Sequence, residues 1–357
     1  MIDLRSDTVT RPTPAMWEAM RTAELGDDMM GEDPTVNRLE QMMADLFGKE
    51  AAVLACSGTQ SNQMGVRVHC IPGDELLINE TGHIANFEGG APAALSGVTV
   101  RTISAPDGRL DVEHLEGKVR NNDQHFCRTR LVCLENTTNL GGGRSYSLAQ
   151  LLRVSEWARN HDLRIHLDGA RLFNAIVAEG YSAQDVGHCF DTISICFSKG
   201  LGCPMGSILV GSAEQIRHAR RIRKLFGGAL RQAGIIAGAA IYAIENNVVR
   251  LSEDHSNART LANGLASIDG IRILPETIET NLVFFDVDPA AGTAVQMAAA
   301  LRHHGVLIGP MGGQRMRAVT HLDVTADDVQ IAADAVEQCL KSGIRDFVSS
   351  GVGPYSK

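Results

Sequence analysis

Over its first two thirds the chain alternates short apolar runs with stretches whose apolar residues recur every three or four positions. The apolar runs fall at 51–55, 75–78, 98–103, 130–135, 163–168, 192–197 and 207–210, each short enough for a strand and rich in Val, Ile and Leu. Between them, Val36, Leu39, Met43, Leu46 and Phe47 mark one helical face from Pro34 to the stop at Gly48, and Leu148, Leu151, Leu152 and Ser155 mark another between Ser147 and Asn160. Alternation of this kind predicts an α/β domain with a mostly parallel central sheet.

Around Asn246 the pattern changes. A long helix carries Val248, Leu251, His255, Ala258, Ala262 and Leu265 on one stripe, which makes His255 a core-facing residue. Short strands follow at 270–274 and 282–286, then a final helix begun near Thr325 with Val329, Ala333, Val336 and Leu340, then a Gly/Ser-containing tail expected to be loose. The predicted domains are therefore a large one over 1–245 and a smaller α+β one over 246–357. The opening segment to about Thr22 is polar, carries Pro12 and Pro14, and reads on composition as an extended, solvated arm before a short helix.

Composition removes several functions. A chain of 357 residues with formal net charge -9 has no basic field for a phosphate backbone, so nucleic acid is excluded as a partner. No apolar stretch reaches bilayer length and Met1–Ser6 has no signal core, which predicts a cytoplasmic protein. Its 8 cysteines include no C-x-x-C pair, so they read as reduced core residues, with neither a metal site nor a disulfide scaffold.

Lysine is scarce, and Lys199 is the sole one between 118 and 224. It follows the apolar run at 192–197 in Ser198-Lys199-Gly200, where an α/β sheet presents its chemistry at a strand end. Asp168 ends the preceding run in His166-Leu167-Asp168-Gly169-Ala170-Arg171, and Ser57-Gly58-Thr59 begins a helix in a small-residue turn suited to an anion. Taken singly, each signal is common: a loop lysine, a turn aspartate, a turn histidine at His83, a capped helix start. Together they have the logic of pyridoxal phosphate. A lysine binds the aldehyde, an aspartate keeps the pyridine nitrogen protonated, His83 lies flat on the ring, and arginines such as Arg171 and Arg317 grip a carboxylate.

The chain resembles the threonine aldolases of the aromatic amino acid beta-eliminating lyase/threonine aldolase group, fold type I pyridoxal-phosphate enzymes, over nearly its whole length. The islands that carry the resemblance are Leu4–Thr10, Gly26-Asp27-Asp28, Ser57–Gln60, His125-Phe126, Glu135-Asn136-Thr137, His166–Arg171, Ser198–Gly202, Arg231–Gly234 and Val319–Val324. It implies Lys199 as the Schiff-base lysine, with Ser198 beside it, Asp168 at the pyridine nitrogen, His83 stacked on the ring, and Gly58 and Thr59 at the phosphate. By the same resemblance Ser6, Arg171 and Arg317 clamp the substrate carboxylate, and His125 stands near the substrate hydroxyl. Arg231 reaches the phosphate of a neighbouring subunit in a homo-oligomer, a dimer of dimers. The arm, 1–15, is then ordered at the active site.

The implied reaction is cleavage of a β-hydroxy-α-amino acid to glycine and an aldehyde, with His83, His125 or a water between them as base. The alternatives are another reaction of the same cofactor (β-elimination, racemisation or transamination) and a non-catalytic homologue kept for binding. A nicotinamide enzyme is disfavoured, because Gly141-Gly142-Gly143-Arg144 lacks the G-x-G-x-x-G spacing. Two positions depart from the family pattern: Met30 where tyrosine is common, and Thr138 where histidine is common. Both bear on the substrate side chain and the preferred diastereomer.

Overall fold

The computed structural model describes residues 1–347, and the tail beyond, 348–357, lies outside the described residues. The chain divides into two units, Pro12–Val248 and Met1–Arg11 with the chain from Val249 onward. After the two-residue β1 (Ile2–Asp3) of the arm, the larger unit holds β2 (Ala51–Ala55), β3 (Asp74–Asn79), β4 (Thr99–Ile103), β5 (Arg128–Glu135), β6 (Arg164–Gly169), β7 (Thr192–Cys196) and β8 (Ser207–Gly211). These are the seven apolar runs of the sequence.

They form one sheet in the order β2-β8-β7-β6-β5-β3-β4. Only β8 runs against the rest: it is antiparallel to both β2 and β7, while β4, β3, β5, β6 and β7 pair in parallel. Every residue of β3, β7 and β8 is buried, which is why these strands read as continuous apolar runs with little alternation. The Gly58–His69 and Ala213–Leu225 helices close over β2 and β8 through Met64, Ile216, Ala219 and Ile222 packed on Val53, Ala55 and Leu209.

In the smaller unit β9 (Ile271–Ile273), β10 (Leu282–Val287), β12 (Gly309–Gly312) and β13 (Arg315–Val319) form an antiparallel sheet in the order β12-β13-β10-β9, while β11 (Val306–Leu307) pairs in parallel with β1. The arm therefore belongs here and not with the large domain, as its place in the sequence suggested. Leu4 donates its N–H to Leu307, accepts from Val319 N–H at 2.8 Å in each case, and is fully buried with Val306, Ile308 and Ala318. A strand of two residues has no periodicity to read, and its partners lie some three hundred residues away. His255 is buried as expected, and its burial pushes the imidazole down to about 4.

All eight cysteines are free thiols, six of them buried and Cys56 and Cys127 half-buried. Among the described residues no helix is long and apolar enough to cross a membrane.

Candidate active site

Strand register brings Asp168 and the strand end that leads to Lys199 to one end of the sheet. Glu135, the last residue of β5, stands opposite Asp168 on β6, and Asp168 stands opposite Ser194 on β7. Lys199 follows three residues after β7 ends at Cys196, half-buried, and among the described residues no hydrogen bond or ion pair engages its amine.

The Gly58–His69 helix is pressed onto these two strands by glycines one heptad apart. A β-carbon on Gly58 would stand 2.6 Å from Cys196 Sγ, and one on Gly65 would stand 2.4 Å from the His166 ring. Ser57 caps the helix, its Oγ accepting from Gln60 N–H at 3.2 Å, so the N–H groups of Gly58 and Thr59 begin the helix beside the β7 terminus.

Asp168 is 2% exposed, and both its hydrogen bonds come from neutral donors: Ala170 N–H at 3.1 Å on Oδ1 and Asn62 Nδ2 at 2.9 Å on Oδ2. His83 begins a short helix, His83–Asn86, with its backbone N–H donating to Glu135 Oε2 at 2.7 Å and its Nδ1 3.0 Å from Glu88 Oε1. Side-chain ligand atoms of His83, Glu88 and Asp168 all lie within 4.8 Å of one another. Burial alone would depress the His83 imidazole. The hydrogen bond to Glu88 and the charges of Asp168, Glu88 and Glu135 outweigh it and raise the ring above its ordinary value. Glu135 is pushed up by burial and by the Asp168 charge, against the N–H bonds it accepts from His83 and Asn139.

The other expected residues divide. Arg171 is buried at the start of the Leu172–Glu179 helix, three residues past Asp168. Ser198 adjoins Lys199 and is half-buried. Arg231 is exposed and paired with Asp27 at 2.9 Å. Ser6 and Arg317 belong to the smaller unit, where Arg317 is buried on β13 and its Nη2 approaches the Arg5 carbonyl at 3.4 Å, while Ser6 Oγ accepts from Thr8 N–H at 3.2 Å.

His125 is the exception. It lies on a surface loop before β5, its side chain 76% exposed and its Nδ1 2.7 Å from Asp123, at the opposite end of the parallel strands from Asp168. The chain order already carried this signal, since His125 precedes β5 whereas Glu135 ends it. Met30 is 70% exposed, and Thr138 is buried, its Oγ1 accepting from Arg144 N–H at 3.2 Å to hold the turn after β5.

Sequence reasoning passed over Asn62 and Glu88. Asn62 sits four residues after Gly58 and three before Gly65, so a polar residue on the stripe between two packing glycines was the available signal.

A lysine and an aspartate at adjacent strand ends of this sheet, facing a capped helix start, define the class: the fold is that of the fold type I pyridoxal-phosphate enzymes. The threonine aldolase of Leishmania major matches it with a TM-score of 0.82 at 22% identity, over 95% of this chain and 100% of that one. A serine palmitoyltransferase from S. paucimobilis with bound PLP matches with a TM-score of 0.74 at 20% identity, over 96% of this chain and 87% of that one. The chain belongs to the beta-eliminating lyase family, whose model matches residues 3–289. It is 42% identical over 335 residues to the low specificity L-threonine aldolase of Escherichia coli K12, covering 93% of this chain and 98% of that one.

Proposed function

We propose that this chain is a pyridoxal-phosphate aldolase that cleaves the Cα–Cβ bond of L-threonine, L-allo-threonine or a related β-hydroxy-α-amino acid to glycine and an aldehyde. The observation that carries the reading is the pairing of the unengaged amine of Lys199 with the buried carboxylate of Asp168 on the neighbouring strand. The donor set fits the cofactor. A buried carboxylate held only by neutral donors leaves its charge for a pyridinium, and the helix start at Gly58 and Thr59 offers N–H groups to a phosphate. When bound, the cofactor supplies an electron sink for the pair released as the Cα–Cβ bond breaks.

The chain's own residues do the rest. Lys199 supplies the amine that holds the cofactor's aldehyde, and Asp168 holds the proton on the ring nitrogen. Arg171 orients the substrate carboxylate, and orientation decides which bond at Cα is weakened. Ser6 and Arg317 are assigned to the same carboxylate on the family pattern. His83 is the base: its Nδ1 is taken up by Glu88, which leaves Nε2 to accept the β-hydroxyl proton. The position of His125 argues against its serving in the same chain. Arg231, exposed beside Asp27, is assigned to the phosphate of a neighbouring subunit in a homo-oligomer, and the free thiols agree with a cytoplasmic setting.

Product analysis on the purified holoenzyme tests the reading. Glycine and an aldehyde in equal amounts are expected from L-threonine or its allo isomer, whereas ammonia with a keto acid, or a transaminated product, defeats it. Lys199→Ala protein is expected to lose the borohydride-fixable label that the wild type acquires from pyridoxal phosphate.

A further inference from the structure

The site rests on a polar layer that none of the assigned roles uses. Asn62 donates one amide hydrogen to Glu88 Oε1 at 2.8 Å and the other to Asp168 Oδ2 at 2.9 Å. Glu88 also takes Gln63 Nε2 on its second oxygen at 2.5 Å and stands 3.0 Å from His83 Nδ1. The Asn62 amide oxygen is turned to His166 Nε2 at 3.3 Å, a ring that burial keeps neutral by pushing it down to about 4.

The orientation of that amide has no alternative. Reversing it would aim the oxygen at two carboxylates, which are acceptors only when ionised. Its two hydrogens are thus committed, one to each acid.

We infer that Asn62 is a positioning residue: its amide bridges Asp168 and Glu88 with one hydrogen bond to each, and through Glu88 it orients His83 with Nδ1 engaged and Nε2 free. The reason is electrostatic. Ligand atoms of the two buried acids and of half-buried His83 lie within 4.8 Å of one another, where like charges repel and each carboxylate needs a donor of its own. With the amide between them each gains a hydrogen bond to its charged form. Asp168 is then held in place for a pyridinium, and Glu88 is held where it accepts His83 Nδ1–H. The inference rests on the cofactor reading above and adds to it a residue that acts through the two acids it bridges.

The test uses two variants of the full-length holoenzyme, Asn62→Leu and Glu88→Gln, and three measurements: the pyridoxal-phosphate dissociation constant, the pH titration of the bound cofactor's visible band, and the pH profile of kcat/KM. Asn62→Leu is expected to weaken cofactor binding about tenfold or more and to move the visible titration by about one pH unit. Glu88→Gln is expected to lower the ascending pKa of kcat/KM by about one unit, because the charge and charged hydrogen bond of Glu88 are lost while Asp168 and Glu135 still face His83.

A purely structural role would lower the unfolding midpoint and leave both titrations in place. The inference is overturned if folded Asn62→Leu binds pyridoxal phosphate within about twofold of wild type and titrates unchanged, or if the Glu88→Gln profile does not move. Should Asn62→Leu fail to fold, the smaller Asn62→Ala replaces it with the same expected shifts, and unchanged binding and titration in that variant overturn the inference. A wild-type protein that binds no pyridoxal phosphate would instead overturn the cofactor reading, an outcome the same titration separates.

Discussion

Gly58 lies against Cys196 so closely that a β-carbon at position 58 would stand 2.6 Å from the Cys196 sulfur. This contact sets the distance between the helix start that carries Gly58 and Thr59 and the strand end that leads to Lys199. A methyl group there forces the helix off β7. Gly58→Ala is expected to destabilise the protein by about 1–3 kcal/mol and to weaken pyridoxal-phosphate retention. Adding Cys196→Ala should return most of both losses, so a double-mutant cycle on the unfolding free energy should show coupling above about 0.5 kcal/mol. Additive effects would mean that the contact is not the cause.

Neighbouring aspartates should behave differently on removal. Asp28 is buried with Arg223, whose Nη2 donates to it at 2.7 Å while Nη1 holds the Leu54 carbonyl at 2.8 Å. Asp28→Ala leaves a buried guanidinium unpaired and is expected to cost about 3–5 kcal/mol in urea unfolding. Asp27→Ala breaks the exposed pair with Arg231 and should cost less than about 1 kcal/mol.

His83 offers a kinetic prediction. With its ring raised above 6.5 and neutral imidazole as the working form, kcat/KM should climb with pH through an apparent pKa above that value. His83→Asn is expected to lower kcat/KM by about 10²–10⁴-fold and to remove the ascending limb. A retained limb would point to another base.

Acid should unfold the protein through other histidines. Burial pushes His69 down to about 3 and His166 and His255 down to about 4, from 6.5. Each is neutral when folded and takes up a proton on unfolding below pH 6.5, so stability falls as pH drops from there towards 4. The slope is up to about 1.4 kcal/mol per pH unit for each ring. His83 works the other way: its contribution is present below its unfolded value of 6.5 and fades as pH rises through its raised folded value. Urea unfolding at pH 7, 6 and 5 measures the net slope, and His255→Gln should flatten it by about one histidine's share.

The legible parts of this molecule were those whose physics is local. The central strands could be read because a strand buried on both sides needs a nearly unbroken apolar run, and the more exposed edge strand β4 because of its β-branched residues. Asp168 and Lys199 stood out because each follows such a run directly. β1 and β11 were illegible, two residues each, too short for a periodicity and paired across the length of the chain. Asn62 and Glu88 were passed over because a polar residue in a helix or a loop carries no local sign that its partner is a carboxylate on another element. His125 carried a motif without its geometry, and its place before β5 puts it at the far end of the strands.

By itself, then, the sequence determined the α/β class, the run of strands and helices and the family, and it singled out Lys199 and Asp168 as the proposed amine and acid, because burial periodicity and residue type are written position by position. Tertiary structure decided which of the candidates meet. It joined the arm to the unit begun at Val249, separated His125 from Asp168, and placed Asn62 between two buried acids. Those outcomes depend on strand order, register and the close approach allowed at Gly58 and Gly65, which are properties of pairs of distant segments and of no single stretch of chain.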